Sequence, residues 1–361
     1  MKKFPAILMI ASLAATLIVS GCGATSTASS APSSNSASGG GASSAKLDDV
    51  KVAFDDSVAE AGIILGDKLG YFQQQGIKVD ITKFQSGADE LTALAADQVS
   101  VSRGIINAGL FNASAKGIDI KLVADGGTNV PGKGYFRLCI RKDLAGKVKD
   151  YKDLKGLKIG VASLGGINEL LAQMALEKGG LTGKDVQFVT VDSFPDLNTA
   201  LSNKTVDAIM QIDPLVTQGI KGGYLDPWKD PSDYAAGEEI SVLMFSPQFA
   251  AKKDVADRFM VAYLQGVRAY NDALISGTKD QDKIINILTQ NTSVKDPAVM
   301  KAMLPPGLDP NGVIPKSGVE HDQKWYMDKG LVKTAADVNK LIDTEYVDYA
   351  INKIGKYQPA K

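Results

Sequence analysis

Arg103 has the clearest capacity for ligand chemistry in this sequence. It is the one basic side chain among the turns where short strand-like runs give way to helical ones. A guanidinium there can fork onto a sulfonate, carboxylate or nitrate; its competing role is an ion pair with Asp89 or Asp125. Acids crowd the same region. Asp55, Asp56, Glu60 and Asp213 would hold an amine or another hydrogen-bond donor if they face inward, and would complement helix dipoles if they do not. Ser57, Ser86, Asn107, Ser163 and Gln211 add hydroxyls and amides at neighbouring turns. Gly87 and Gly127 lie in two more of them. Gly165 and Gly166 permit close backbone approach to a bound group, with Asn168 starting the helix that follows, or serve only a tight turn. Phe54, Phe84, Tyr135, Phe136 and Phe194 can flank an apolar ligand or pack in the core.

Signatures of catalysis are scarce. His321 is the sole histidine and has no second histidine or cysteine at ligand spacing, so it reads as a surface residue at a helix start, and no metal is expected. Cys139 sits in the apolar run Tyr135–Ile140 and reads as core rather than nucleophile. The phosphate loop, the glycine-rich dinucleotide fingerprint and the nucleophile elbow are all missing from the sequence, so neither a cofactor nor an enzyme activity is expected.

The candidate turns follow from an alternation of strands and helices that occurs twice. At an offset of 107 residues, Ser86, Asp89, Thr92, Ala93, Leu94 and Val99 fall on Ser193, Asp196, Thr199, Ala200, Leu201 and Val206. The first copy reads as strands over Val50–Phe54, Val79–Phe84 and Val99–Ser102 with helices over Ala59–Leu69 and Asp89–Ala96. In the second copy the strands are Lys158–Val161, Val186–Val191 and Ala208–Ile212 and the helices Asn168–Gly179 and Asp196–Asn203. Such alternation predicts parallel sheets with crossover helices, and ligands gather beyond the carboxyl ends of such strands. The apolar runs Tyr135–Ile140 and Ile240–Phe245 are expected to carry the chain to a second lobe and back as a hinge. Helices are expected over Val255–Ile275, Gln281–Thr289, Gln323–Lys329 and Ala335–Ile354, all assigned to the first lobe.

The N-terminus indicates where the protein works. Lys2 and Lys3 precede an apolar run, and Val19-Ser20-Gly21 precedes Cys22, as in a cleaved bacterial lipoprotein signal whose cysteine receives lipid. From Gly23 to Lys46 the chain is Ser, Ala, Gly and Thr with little else, which cannot bury enough apolar surface to fold; as a flexible tether it would span about 25–30 Å. The expected division is a signal over 1–21, the lipidated cysteine and linker over 22–46, lobe 1 over 47–134 and 246–361, and lobe 2 over 135–245. Forty basic residues against 41 acidic ones give a net charge of −1, which offers no basic field for nucleic acid.

Leu69-Gly70-Tyr71-Phe72 through Gly76-Ile77 resembles the opening shared by solute-binding proteins of nitrate, sulfonate and taurine-type ABC importers and by thiamine-pyrimidine-precursor binding proteins. Similar stretches are Ala93–Val99, Gly117–Ile120 with Val123–Asp125, Arg141–Leu144, Leu154–Gly160 and Val347–Tyr357. The resemblance implies a two-lobed type II periplasmic-binding fold, with each lobe a mainly parallel sheet flanked by helices. It also implies a monomer that closes on a small solute and delivers it to a permease and, through that, to an ATPase, without catalysis. Residues favour an organic anion through Arg103, with a neutral or cationic heterocycle on Asp55, Asp56 or Glu60 as the alternative. A pyrimidine synthase uses the same fold, but its cysteine cluster has no counterpart here; a structural lipoprotein is a third reading.

Overall fold

The computed structural model describes residues 46–55, 57–84, 87–191, 193–277 and 280–359. The expected signal, Cys22 and most of the linker lie outside them, as do Asp56 and Ser86. Ten strands form two sheets: β1 (Asp48–Phe54), β2 (Ile77–Lys83), β3 (Val101–Ile105), β4 (Lys121–Thr128), β5 (Phe136–Arg141), β6 (Lys158–Val161), β7 (Gln187–Thr190), β8 (Ala208–Ile212), β9 (Leu225–Asp226) and β10 (Glu239–Phe245). The first sheet has the order β2-β1-β3-β10-β4 and the second β7-β6-β8-β5-β9. In each, four strands point one way and a fifth, β10 or β5, runs antiparallel between two of them.

The 107-residue offset holds at the level of register. β1 meets β3 through Val52–Val101 and Ala53–Ser102, and β6 meets β8 through Ile159–Ala208 and Gly160–Ile209, each residue 107 positions further on. Strand ends at Phe54, Lys83 and Ile105 recur at Val161, Thr190 and Ile212, and the helix Gly87–Ala95 recurs as Phe194–Ser202. The second of these helices is capped by Ser193, whose Oγ accepts from Asp196 N at 3.2 Å.

Several boundaries differ from the sequence reading. β3 continues to Ile105 and β4 to Thr128, so Arg103 and Gly127 lie within strands and not in turns. β10, expected as a crossing segment at the edge of the second lobe, is an interior strand of the first sheet, and all seven of its residues are buried. A run buried on both faces looks the same in either sheet. The crossings themselves are 129–135 and 227–238, and they bond to each other: Asn129 N donates to Glu238 O (3.2 Å) and Gly237 N to Asn129 O (2.9 Å).

The tail packs on the first lobe. A Cβ on Gly266 would stand 2.2 Å from Gly62 O, so only glycine lets the helices Lys253–Tyr270 and Ala61–Lys68 meet this closely. The helix expected over Ala335–Ile354 is two, Val338–Leu341 and Glu345–Ile354. Ile342 breaks it by bridging to Leu122, while Asp343 N donates to Leu122 O at 2.9 Å. Residues Tyr135, Phe136, Trp325 and Tyr326 belong to one apolar cluster that also contains Leu91 and Leu110 of the first lobe and Leu138 and Leu170 of the second.

Candidate ligand-binding cleft

A cavity of about 570 Å³ opens where strand ends of both sheets converge. From the first lobe it is lined by Asp55 and Ser57 after β1, Phe84 after β2, Glu90, and Arg103 to Ile105 of β3, with Tyr135 from the crossing and Ser293 from the tail. The second lobe contributes Phe194, Pro195 and Ile212 to Leu215, together with Gln218. Strand carboxyl ends are where such sheets place ligands, and the volume suits a small molecule.

Arg103 organises the polar wall. It is buried, and its five N–H groups are all engaged: Nε donates to Glu60 Oε1 (3.3 Å), Nη1 to Gly126 O (3.2 Å) and Ser241 Oγ (2.6 Å), and Nη2 to Asp55 Oδ2 (3.1 Å) and Ser57 Oγ (3.2 Å). Tyr135 OH lies 3.4 Å from Nη2. The partners are thus Asp55 and Glu60, in place of the expected Asp89 or Asp125. A guanidinium so satisfied offers no spare donor to an anion.

Carboxyl groups outnumber this cation. Burial raises the Glu60 pKa well above the usual carboxylate range against the pull of Arg103, and its Oε2 has no partner among the described residues. Burial, reinforced by the charge of Asp55, pushes Glu90 up to about 7, although Ser102 Oγ donates to its Oε2 at 3.2 Å. Asp213 is raised by burial too; its Oδ1 accepts from Thr217 N and Oγ1 (3.0 and 2.6 Å) and its Oδ2 from Leu304 N (3.0 Å). The wall can therefore accept hydrogen bonds, and Glu90 can exchange a proton near neutrality.

Of the residues expected at the site, Ser57, Arg103 and Asp213 line this cavity, and Glu60 stands behind Arg103. Others have structural roles. Asn107 caps the helix Ala108–Ala115, its Oδ1 accepting from Leu110 N at 3.1 Å. Gln211 turns away, its Nε2 donating to Phe194 O (2.7 Å) and Asn198 Oδ1 (3.0 Å). Ser163 Oγ and Asn168 Oδ1 face each other at 3.5 Å, and Asn168 is the second residue of its helix, which begins at Ile167. Gly165 has φ +73°, and a Cβ there would meet Leu331 at 2.8 Å, so the close approach it permits is by a side chain of this protein. Gly127 yields to Ser241 Oγ in the same way, and Gly87 opens the helix Gly87–Ala95.

Among the aromatics, Phe84, Tyr135 and Phe194 border the cavity, whereas Phe54 and Phe136 are core. Cys139 is buried and burial raises its thiol pKa, as a core residue requires. Glu90 was missed by sequence reasoning, although a signal existed: its counterpart 107 residues on is Leu197, a charge against an apolar residue within matching copies. Ser293 and Gln218 carry no comparable signal.

The sequence profile of the family described as NMT1/THI5 like matches residues 58–272. A protein of Bacillus subtilis (strain 168) that bears the name of an aliphatic sulfonates-binding protein is 27% identical over 160 residues, which cover 43% of this chain and 41% of that protein. The match thus spans less than half of the relative. The crystal structure of the periplasmic nitrate-binding protein of Synechocystis PCC 6803 superposes with a TM-score of 0.68 at 12% identity, over 86% of this chain and 89% of that one. That of the desulfurization enzyme DSZB gives 0.60 at 16% identity, over 85% and 99%. At these identities the two structures share the fold with this chain, and the fold hosts binding proteins and an enzyme alike.

Proposed function

Because the chain belongs to the NMT1/THI5-like family, we propose that it is the solute-binding component of an ABC importer and works outside the cytoplasm. The observation that supports this most is the cavity shared by both lobes, with the Arg103 cluster on one wall and a mainly apolar wall, broken by Asp213 and Gln218, on the other. The paired crossings 129–135 and 227–238 would bend as the lobes close on one small molecule. No catalysis is proposed: neither Cys139 nor His321 lines the cleft. The partners are the solute and an ABC permease, reached as a monomer. A diacylglyceryl group on Cys22 would anchor the chain at the membrane; mass spectrometry of the mature N-terminus that finds an unmodified Cys22 would remove the anchor.

The solute is read as one bringing N–H donors or a protonated nitrogen, such as a pyrimidine-type heterocycle. Arg103 has no donor left, whereas Asp55 and Glu90 face the cavity as acceptors. An organic anion is the second reading, favoured by the sulfonate and nitrate in the names of the relatives; it requires Arg103 to release Asp55 or Ser57. A thermal-shift panel of amines, pyrimidines, sulfonates, carboxylates and nitrate decides. The expected result is stabilisation by a nitrogenous solute of about 2.7 kcal/mol at a hundredfold excess over Kd. Stabilisation by anions alone transfers the assignment to them, and no response to any class removes the solute-binding reading.

A further inference from the structure

Outside the cleft, Glu238, His321 and Asp322 bring three ligand-type atoms within 4.8 Å of one another. His321 is not at a helix start as the sequence suggested: it lies inside the helix Lys316–Asp328, half exposed, with Nδ1 2.9 Å from Glu238 Oε1. Asp322 beside it is fully buried, and neither of its oxygens has a hydrogen-bond partner among the described residues. A buried carboxylate without a partner is costly unless a proton or a cation compensates it. No basic side chain makes an ion pair with Asp322 among the described residues.

We infer that Glu238, His321 and Asp322 form a divalent-cation site suited to Zn²⁺, which fastens the second crossing to the Lys316–Asp328 helix. One imidazole nitrogen and two carboxylate oxygens make a three-ligand zinc set with a fourth position for water, and they neutralise the ion. At metal–ligand distances of about 2.0–2.2 Å, ligands of a tetrahedral ion stand roughly 3.3 Å apart, so atoms now within 4.8 Å of one another must draw together to hold it. His321 reaches solvent and supplies the entry path.

The position gives the site a consequence. Glu238 O accepts from Asn129 N of the other crossing, so holding Glu238 holds both strands of the hinge. A Cβ on Gly318 would stand 2.8 Å from Glu239 N; glycine there lets the helix lie against this backbone. The same helix reaches the second lobe, where Trp325 Nε1 donates to Gln173 Oε1 (3.3 Å), and the adjoining Lys329 Nζ donates to Glu169 Oε1 (2.6 Å). A cation at this junction would stiffen the hinge from behind the cleft.

The test is calorimetric titration of the chelator-stripped mature protein with ZnCl₂, with MgCl₂ and CaCl₂ in parallel, for the native chain, His321→Ala and Asp322→Asn. His321 is half exposed, so its variant reports on binding even if Asp322→Asn folds poorly. The inference expects one equivalent of Zn²⁺, a higher Tm on binding, silence from Mg²⁺ and Ca²⁺, and at least about tenfold weaker zinc binding in His321→Ala. It is overturned if the native chain takes up no zinc, or if His321→Ala binds zinc as tightly. It is likewise overturned if Asp322→Asn raises the Tm while the native chain ignores zinc, which would assign the pair Glu238 and Asp322 a shared proton instead.

Discussion

The two lobes use one register and fill it differently where they face the cleft. Asp55, Glu60, Glu90, Ser102 and Arg103 of the first lobe correspond, 107 residues on, to Ala162, Ile167, Leu197, Ile209 and Met210 of the second. The last four of these are buried apolar residues. The second lobe therefore demonstrates that this frame folds with an apolar filling, and the charged cluster of the first is not a requirement of the sheet. Buried ion pairs seldom improve stability over a well-packed apolar set. Their presence on one lobe only, along the wall of the cavity, assigns the charged work of recognition to the first lobe and, Asp213 and Gln218 apart, the apolar contact to the second.

Exchanging the fillings tests this most severely. Arg103→Met alone leaves Glu60 and Asp55 without their cation and is expected to cost about 3–5 kcal/mol in denaturant unfolding. The triple change Glu60→Ile, Glu90→Leu and Arg103→Met copies the second lobe at three of the five positions, leaves only the partly exposed Asp55 without its cation, and should return stability to the native level or above. A triple variant no more stable than the single one would show that the frame depends on its charges after all.

A smaller effect comes from pH. Glu90 in the folded chain titrates at about 7, above its value in the unfolded chain. Between the two values the folded state holds more protons, so this group contributes most stability at acid pH and loses it as pH rises toward 7, by about 3 kcal/mol at most. Asp125, which burial raises to about 6, adds a slope of the same sign. Glu90→Gln should flatten the fall between pH 4.5 and 7 in urea titrations; an unchanged slope would mean that Glu90 keeps its charge. No counterpart of this slope is expected from Leu197 in the second lobe.

The smallest effect separates capping from binding. Asn107, a candidate ligand residue in the sequence, corresponds to Pro214 of the second lobe and caps a helix. Asn107→Ala should cost about 1 kcal/mol and leave solute affinity unchanged. Loss of affinity without loss of stability would restore it to the site.

What was legible follows from the range of the interactions. Strands and helices of the two copies were readable because periodicity and turn residues are local, whereas the recurrence of the offset of 107 in the pairing register appeared only in the structure. The place of β10 was not, since an evenly apolar seven-residue run carries no mark of which sheet it joins. Arg103 was visible as a candidate, but its partners were not: Asp55 and Glu60 are 48 and 43 residues away in sequence, and the strand holding Arg103 proved longer than its β-rich core suggested. Loop glycines were ambiguous because close approach by Leu331 and by a ligand demand the same residue.

Calorimetric titration of the native chain and of the triple variant, with the solute that the thermal-shift panel identifies, bears most directly on the division of labour between the lobes. The expected triple variant is as stable as the native chain and has lost at least tenfold in affinity, equivalent to about 1.4 kcal/mol. A stable triple variant that binds the solute as the native chain does would contradict that division.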